Sequence, residues 1–233
     1  MTLHSTYLAK QKTFWDVASL EDAMFKRIYT DTTIQDLPFE EKLRVWEDSG
    51  RSDMTEILDD IPHQPEWSAL EIGCGIGRLV KPFRAQFHQV DGVDISAKMI
   101  EFAKTYLSTS PNGQIFVNNG ADLSDLSDTR YNLVFSTLVF QHIRSLTIVK
   151  SYFRDIFRVL IEGGYFRLQV HVKNTSHYGD VTDEPSEDTT HGFSGNGYDI
   201  ADISALVSTH GFILKKVEEV HPWIWITAQR TTR

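Results

Sequence analysis

Three closely spaced glycines mark the part of the chain best suited to hold a ligand. Gly73, Gly75 and Gly77 lie in the segment ALEIGCGIGR, residues 69–78, between an apolar run typical of a strand and a helical pattern. Glycines at such a place allow a tight turn and let the backbone approach a ligand closely. Asp94 ends the next predicted strand, 21 residues after Gly73, where a carboxylate can accept from both ribose hydroxyls. The pattern predicts a nucleoside-containing ligand at the carboxyl edge of a parallel sheet.

The spacing of this loop differs from that of a dinucleotide-binding loop. In the G-x-G-x-x-G pattern the third glycine would fall where this chain has Arg78, and Gly77 comes one residue early. Glu71 lies two residues before the first glycine and brings a carboxylate beside the loop. This charge would repel a pyrophosphate and attract an ammonium group. A dehydrogenase is therefore the least favoured enzyme class.

Strands and helices alternate after residue 66, which is typical of a parallel sheet with helices on both faces. Only His221 and Pro222 separate the last two strands, and so short a link requires an antiparallel pair. The predicted strands are Ser68–Ile72, Gln89–Asp94, Gln114–Asn118, Tyr131–Thr137, Gly163–Val172, Phe212–Val220 and Trp223–Gln229. The predicted helices are Val80–Phe87, one capped by Ser96, 146–160 and Ile200–His210.

The first 60 residues carry helical patterns and lack strand signals. Spaced apolar residues predict a helix over 7–29, Pro38 opens a second, and a third spans Ser52–Asp60. We therefore divide the chain into an N-terminal helical cap, residues 1–65, which covers the active site, and a sheet domain, residues 66–233.

Composition narrows the classes of partner. The 233 residues carry a net charge of −9, and an acidic chain is a poor general binder of nucleic acid because that affinity comes from cations. The single cysteine, Cys74, cannot form an internal disulfide. The sequence shows neither an apolar signal core nor a run of about 18 apolar residues. We expect a cytoplasmic protein that binds neither nucleic acid nor membranes, and its oligomeric state stays open.

Three segments together resemble the class I S-adenosylmethionine-dependent methyltransferases: ALEIGCGIGR, VDGVDIS (residues 90–96) and NNGADL (residues 118–123). The resemblance covers about residues 66–230. It implies an α/β fold, a Rossmann-like doubly wound sheet of seven strands that is mostly parallel with the last strand antiparallel. It also implies S-adenosylmethionine as the cofactor and S-adenosylhomocysteine as the product.

The same resemblance assigns residues to the parts of the cofactor. Some of them have a structural alternative: Met99 as helix core, Asp122 as a helix cap or turn residue, Gln141 as a cap, and Arg51 as a surface arginine. Cys74 is interpreted as a small filler beside the cofactor. The predicted cofactor-binding residues are Arg51, Glu71, Gly73, Cys74, Gly75, Asp94, Ile95, Met99, Ala121, Asp122, Leu123, Ser136, Thr137 and Gln141.

Candidates for the methyl acceptor's site follow the strands of the sheet. His142, just after the fourth predicted strand, is the candidate catalytic base, with a shaping role as its alternative. Arg167 and His171 share one face of the fifth strand and are predicted to meet the substrate, although Arg167 also suits a structural ion pair. Trp15 and Tyr29 are the candidate aromatic wall of the cap, with helix packing as the alternative.

The segment from Lys173 to Tyr198 is long, polar and without periodicity, and is interpreted as a solvated lid. His171, His177, Asp180 and His191 follow no metal-binding spacing. The resemblance also implies that some metal-dependent members use carboxylates near the fourth strand, where this chain has Asn132. We predict no metal site.

The leading functional hypothesis is a methyltransferase that acts on an oxygen or nitrogen of a small-molecule metabolite or natural-product intermediate. The alternatives are a protein or peptide methyltransferase, and a methyltransferase-like module that binds the cofactor without turnover.

Overall fold

The computed structural model describes residues 3–16, 32–34, 36–173, 178–179 and 195–232. The helices are α1 (Leu3–Trp15), α2 (Phe39–Leu58), α3 (Val80–Gln86), α4 (Ala97–Tyr106), α5 (Leu146–Val159) and α6 (Ile200–Thr209), with 3₁₀ turns at Thr32–Ile34 and Phe140–His142. The strands are β1 (Ser68–Ile72), β2 (Gln89–Asp94), β3 (Ile115–Val117), β4 (Tyr131–Ser136), β5 (Leu160–His171), β6 (Tyr178–Gly179), β7 (Gly195–Asn196), β8 (Phe212–Val220) and β9 (Trp223–Arg230).

Seven of these strands form one sheet in the order β3-β2-β1-β4-β5-β9-β8. Strands β1 to β5 pair in parallel, whereas β9 lies antiparallel to both of its neighbours. The predicted fold class is thereby confirmed, including the antiparallel last strand. The strand order reverses between β1 and β4, and a crevice opens at the carboxyl ends of strands at such a point.

Helices cover both faces of the sheet, and almost all residues of the central strands β1 and β4 are buried. One core is formed with α5 and α6, which contribute Phe153 and Val207 to it. The second core, on the other face, takes Ile57 from α2, Phe83 from α3 and Ile100 from α4.

The N-terminal helices differ from their prediction in one respect. The two helices predicted around residues 38–60 are one continuous helix, α2. Gly50 in its middle does not end it, because a Cβ at that position would lie 2.7 Å from the carbonyl oxygen of Arg78. Glycine is thus required for α2 to pack against the glycine loop rather than to break the helix.

The helix predicted over 7–29 corresponds in part to α1, and residues 17–31 lie outside the described residues. In the described part of the chain, no helix is both long enough and apolar enough to cross a membrane.

A buried carboxylate joins three strands of the sheet. Asp91, on β2, has no solvent-exposed surface. It accepts from the Tyr131 hydroxyl at 2.8 Å and from the Gln114 backbone N–H at 2.7 Å, and pairs with the Arg130 guanidinium at 2.9 Å. The carboxylate thereby connects β2 to β4 and to the turn before β3.

We predict that Asp91→Ala lowers the free energy of unfolding by about 3 kcal/mol or more, because it leaves a buried hydroxyl and a partly buried guanidinium without their partner. Urea unfolding followed by tryptophan fluorescence measures this loss. Glu101→Ala, which removes an exposed carboxylate paired with Lys98, should cost less than about 1 kcal/mol. Equal losses for the two variants would contradict the structural role of Asp91.

Candidate active site

A cavity of about 340 Å³ opens at the carboxyl ends of β1, β2 and β4. Its wall is formed by the loops that follow these strands, by the 3₁₀ turn Phe140–His142 and by one face of α1. Its position coincides with the reversal of strand order between β1 and β4. The lining combines apolar and aromatic side chains with a few polar groups, which is typical of a small-molecule site.

The glycine loop follows β1 and forms the floor of the cavity. The backbone N–H groups of Gly73 and Cys74 donate to the Val93 carbonyl, at 2.8 and 3.0 Å. Gly73 has a φ of 76°, and a Cβ there would lie 2.2 Å from a methyl of Val139. Only glycine permits this backbone conformation next to the loop that follows β4.

Leu138, which directly precedes Val139 in the loop after β4, also has a positive φ, 61°. For a bulky residue this conformation costs about 1–3 kcal/mol and persists only where the surroundings impose it. Leu138 lines the cavity. Backbone strain is therefore held at the mouth of the β1–β4 crevice.

Asp94 lies at the end of β2 with its carboxylate at the cavity. Oδ2 accepts from the Gly75 backbone N–H at 2.8 Å and Oδ1 accepts from that of Ser96 at 2.9 Å. Burial raises the pKa of Asp94 to about 6, against the lowering effect of these two hydrogen bonds. Each oxygen keeps a lone pair for a ligand hydroxyl.

Glu71 brings a second carboxylate to the same cavity. Its side chain is 4% exposed, and Oε2 has no hydrogen-bond partner. Burial raises the pKa of Glu71 to about 8, with Arg78 lowering it and Asp94 raising it further. The carboxyl is therefore mostly protonated near pH 7 when nothing faces it.

Arg78, in place of the third dinucleotide glycine, ties the loop to α2. Its guanidinium pairs with Asp53 at 2.6 Å and donates to the Ser49 hydroxyl at 3.1 Å. The side chain is 7% exposed and lines the cavity. Its charge is therefore already paired with α2.

Gln141 adds another unsatisfied acceptor. Its side chain is 2% exposed, lines the cavity, and has an Oε1 atom without a partner. Buried polar atoms in folded proteins are nearly always hydrogen-bonded. The unpaired oxygens of Glu71 and Gln141 in one cavity therefore suit a ligand that donates several hydrogen bonds, such as an ammonium group.

His142 lies in the 3₁₀ turn after β4, and its Nδ1 is buried without a partner. Burial lowers the pKa of His142 to about 4, and the nearby His171 and Arg144 lower it further. The imidazole is therefore neutral near pH 7. The Trp15 ring meets it edge-on, with centroids 5.5 Å apart.

Tyr7 of α1 and Asp16, which directly follows α1, hold this turn and the start of α4. The Tyr7 hydroxyl donates to the His142 carbonyl at 2.7 Å and accepts from the Arg144 backbone N–H at 2.9 Å. The Ser96 hydroxyl, which also caps α4 as predicted, donates to Asp16 at 2.6 Å. Helix α1 is thus fixed across the cavity at both ends.

The structure brings many of the residues predicted from the sequence to this cavity. Those that line it are Trp15, Glu71, Gly73, Cys74, Gly75, Asp94, Ile95, Met99, Thr137, Gln141 and His142. Cys74 is 3% exposed, and burial holds its thiol pKa far above the usual range, which fits a small filler rather than a nucleophile. Tyr29 lies outside the described residues.

A second set of predicted residues does not line the cavity, and structural contacts account for most of them. Arg51 is exposed and pairs with Asp48. Leu123 is fully buried in the core, and the Ser136 hydroxyl donates to the Ile72 carbonyl at 2.9 Å. The others in this set are Ala121, Asp122, Arg167 and His171.

Asp122 forms a turn instead of facing the cavity. Its Oδ1 accepts from the Asn119 amide and the Ser124 hydroxyl, both at 2.7 Å. This contact agrees with the turn-residue alternative considered from the sequence. Ala121 belongs to the same turn, where its N–H donates to Asn119.

Arg167 and His171 lie where β5 meets β9 and are not brought to the cavity. Arg167 donates to the Thr227 hydroxyl at 2.5 Å, lies 4.0 Å from the Asp60 carboxylate and stacks on Trp225 with its guanidinium carbon 4.6 Å from the ring centroid. It therefore connects the end of α2 to the sheet, which agrees with the structural ion pair considered as its alternative from the sequence. His171 packs edge-on against Trp223, with centroids 4.9 Å apart.

Several lining residues were not predicted from the sequence. Helix α1 has little amphipathic pattern, so the sequence did not indicate which of its residues face the cavity. The Tyr152 hydroxyl donates to Asn118 at 2.6 Å, and the sequence gives no signal for this contact because the two residues lie 34 positions apart. The NNGADL segment already contained Asn118, but its neighbours were chosen instead. The lining residues missed are Tyr7, Leu8, Gln11, Arg78, Asn118, Gly120, Leu138, Val139, Ile143, Tyr152 and Trp223, among others.

Within the residues described by the structure, no group of three or more His, Cys, Asp or Glu side chains is arranged to hold a metal. The candidates His177, Asp180 and His191 lie outside those residues, as does most of the predicted lid. Its described parts are Lys173, the short parallel pair β6–β7, and Gly197–Tyr198.

Comparisons with known proteins agree with this fold. Residues 70–168 match the family model described as a methyltransferase domain. A malonyl-[acyl-carrier protein] O-methyltransferase of Ilyobacter polytropus is 34% identical over 94 residues, 39% of this chain. The chain spans about a third, 34%, of the length of that curated relative.

Solved structures share the architecture at low identity. Geranyl diphosphate C-methyltransferase from Streptomyces coelicolor, solved with Mg²⁺, geranyl diphosphate and S-adenosyl-L-homocysteine, matches with a TM-score of 0.70 at 15% identity, over 97% of this chain and 98% of that one. The [4+2]-cyclase SpnF matches with a TM-score of 0.62 at 13% identity, over 78% and 81%. The family match includes the glycine loop and Asp94, so residues 70–168 are similar to a methyltransferase domain, and the sheet around them has the fold of solved methyltransferases.

Proposed function

We propose that the protein transfers a methyl group from S-adenosylmethionine to an oxygen or nitrogen atom of a small molecule. The observation that carries the proposal is the pair of unsatisfied buried acceptors, Glu71 Oε2 and Gln141 Oε1, beside a glycine loop and Asp94. S-adenosylmethionine offers an ammonium group for the first two and ribose hydroxyls for the third. The residues present therefore fit this cofactor.

In this arrangement Glu71 and Gln141 bind the amino group and Asp94 accepts from the ribose. Ile95 and Met99, which line the same cavity after β2, provide apolar surface for the adenine. When bound, the cofactor supplies a methyl group on a positively charged sulfur. The tasks left to the protein are to orient the acceptor, to exclude water and to receive a hydrogen bond from it.

We propose that His142 orients the acceptor. Its imidazole is neutral near pH 7, and the unpaired Nδ1 can accept from a hydroxyl or amine. The Tyr7 hydroxyl binds the carbonyl of this residue and the backbone N–H of Arg144, and the Trp15 ring contacts the imidazole edge-on. The enclosure by α1 supports a small acceptor.

Calorimetry tests cofactor binding. Asp94→Ala should weaken binding of S-adenosylmethionine by about 10²-fold, because charge-assisted hydrogen bonds to the ribose are lost. Asp48→Ala removes an exposed carboxylate on α2 and should leave the affinity unchanged. Absence of binding by the wild-type protein, or tight binding of NAD instead, would reject the proposal.

Binding should also release a proton from Glu71. At pH 7 its carboxyl is mostly protonated because its pKa is raised to about 8, and an arriving ammonium group favours the ionised form. Calorimetry in buffers of different ionisation enthalpy should give up to about one proton released per cofactor. Glu71→Gln should abolish most of this release, and an unchanged value would assign the proton to another group.

The role of His142 requires an acceptor, which a tritiated-methyl screen of metabolite, peptide and RNA pools would supply. His142→Ala should then lower turnover by about 10²-fold while cofactor affinity stays the same. His88→Ala, at an exposed position, is the matched control. Turnover unaffected by the loss of His142 would make this histidine structural.

The pH profile gives an independent check of the same residue. Because the pKa of His142 is lowered to about 4, its ring stays neutral as the pH falls through the usual range of histidine. With saturating cofactor, protonation of His142 should not lower turnover between about pH 7.5 and 5.5. The wild type and His142→Asn should therefore show pH profiles of the same shape over this range. A midpoint near 6.5 that disappears in His142→Asn would contradict the buried, neutral imidazole.

A further inference from the structure

Among the described residues that line the cavity next to His142, none carries a charged side chain. We call the acceptor wall the residues Leu8, Gln11, Trp15, His142 and Ile143, all of which line the cavity. Leu8, Gln11 and Trp15 are spaced at intervals of three and four along α1 and so share one face of that helix. The wall is aromatic and aliphatic, with one amide and one imidazole.

The charged groups elsewhere in the cavity do not compensate an anion. Among the described lining residues the carboxylates are Glu71 and Asp94, and the guanidinium of Arg78 is paired with Asp53 at 2.6 Å. The lowered pKa of His142 keeps its ring uncharged near neutral pH. Arg144 is near enough to lower the pKa of His142 but does not line the cavity. A carboxylate or phosphate placed against the acceptor wall would therefore lose its hydration without a cation in contact with it, which disfavours binding.

The chain at Gly195 and Asn196 packs closely beside the acceptor wall. A Cβ on Gly195 would lie 1.8 Å from the Gln141 carbonyl oxygen, and the Asn196 amide donates to the Ile143 carbonyl at 2.7 Å. The turn that carries His142 and Ile143 is therefore held from this side as well as by Tyr7.

Building on the proposed function, we infer that the methyl acceptor is an aromatic or otherwise apolar molecule without a carboxylate, phosphate or sulfate group, which presents an O–H or N–H to Nδ1 of His142. The acceptor wall supplies apolar contact area, and Gln11 is the polar side chain on α1 that can add a hydrogen bond.

Four one-ring probes test the exclusion of anions: phenol, aniline, benzoate and phenyl phosphate. Each is titrated by NMR into the full-length protein saturated with S-adenosylhomocysteine. Phenol and aniline should bind at least about tenfold more tightly than the two anions, because an unpaired buried charge opposes binding. Equal or tighter binding of benzoate or phenyl phosphate overturns the inference, as does the absence of binding by all four.

A variant with an added cation should reverse the preference. Gln11→Lys places an ammonium group on the acceptor wall and should strengthen benzoate binding by about fivefold or more. Ala9→Lys adds the same charge at an exposed position of α1 and should change nothing. Equal gains for the two variants would attribute the effect to net charge and overturn the inference. Failure of S-adenosylhomocysteine to bind would instead reject the proposed function, so the two are distinguishable.

Discussion

The carboxylate of Asp94 is the group on which the site depends. One oxygen holds the Gly75 N–H of the loop after β1, and the other holds the Ser96 N–H at the start of α4. Ser96 in turn donates to Asp16 at the end of α1. The loop, the helix start and the covering helix are therefore one hydrogen-bonded unit, and the carboxylate that faces the ligand also holds the site together.

Several groups near Asp94 lower the stability of the folded protein. Glu71 and Gln141 each bury an unpaired oxygen, and Leu138 holds a positive φ. Such features reduce the stability of the protein without ligand and are common at functional sites. Because the folded-state pKa of Glu71 is raised, its contribution to stability is fully present below the ordinary carboxyl pKa and is lost as the pH rises through about 8. A ligand with an ammonium group relieves this cost.

Much of the fold could be predicted because its signals are local. The bounds of β1, β2 and β8 match the predicted strands, and turn signals such as Gly73 after β1 and His221-Pro222 after β8 mark their ends in the sequence. The helix break expected between Pro38 and Asp60 was wrong, because Gly50 serves a contact with Arg78, 28 positions away in the chain. A glycine that ends a helix and one that admits a neighbour look alike in a sequence.

The sequence by itself determined the sheet, the glycine loop and the acidic residue at the end of β2, because these follow from periodicity and from spacing within about 25 residues. Only the tertiary structure decided which polar side chains share the cavity. In the folded protein Arg167 of β5 binds Thr227 of β9, and Tyr7 binds the backbone carbonyl of His142, 135 residues away. Such partners depend on how α1 and α2 pack on the sheet, and that packing is set by surfaces that lie far apart in the chain.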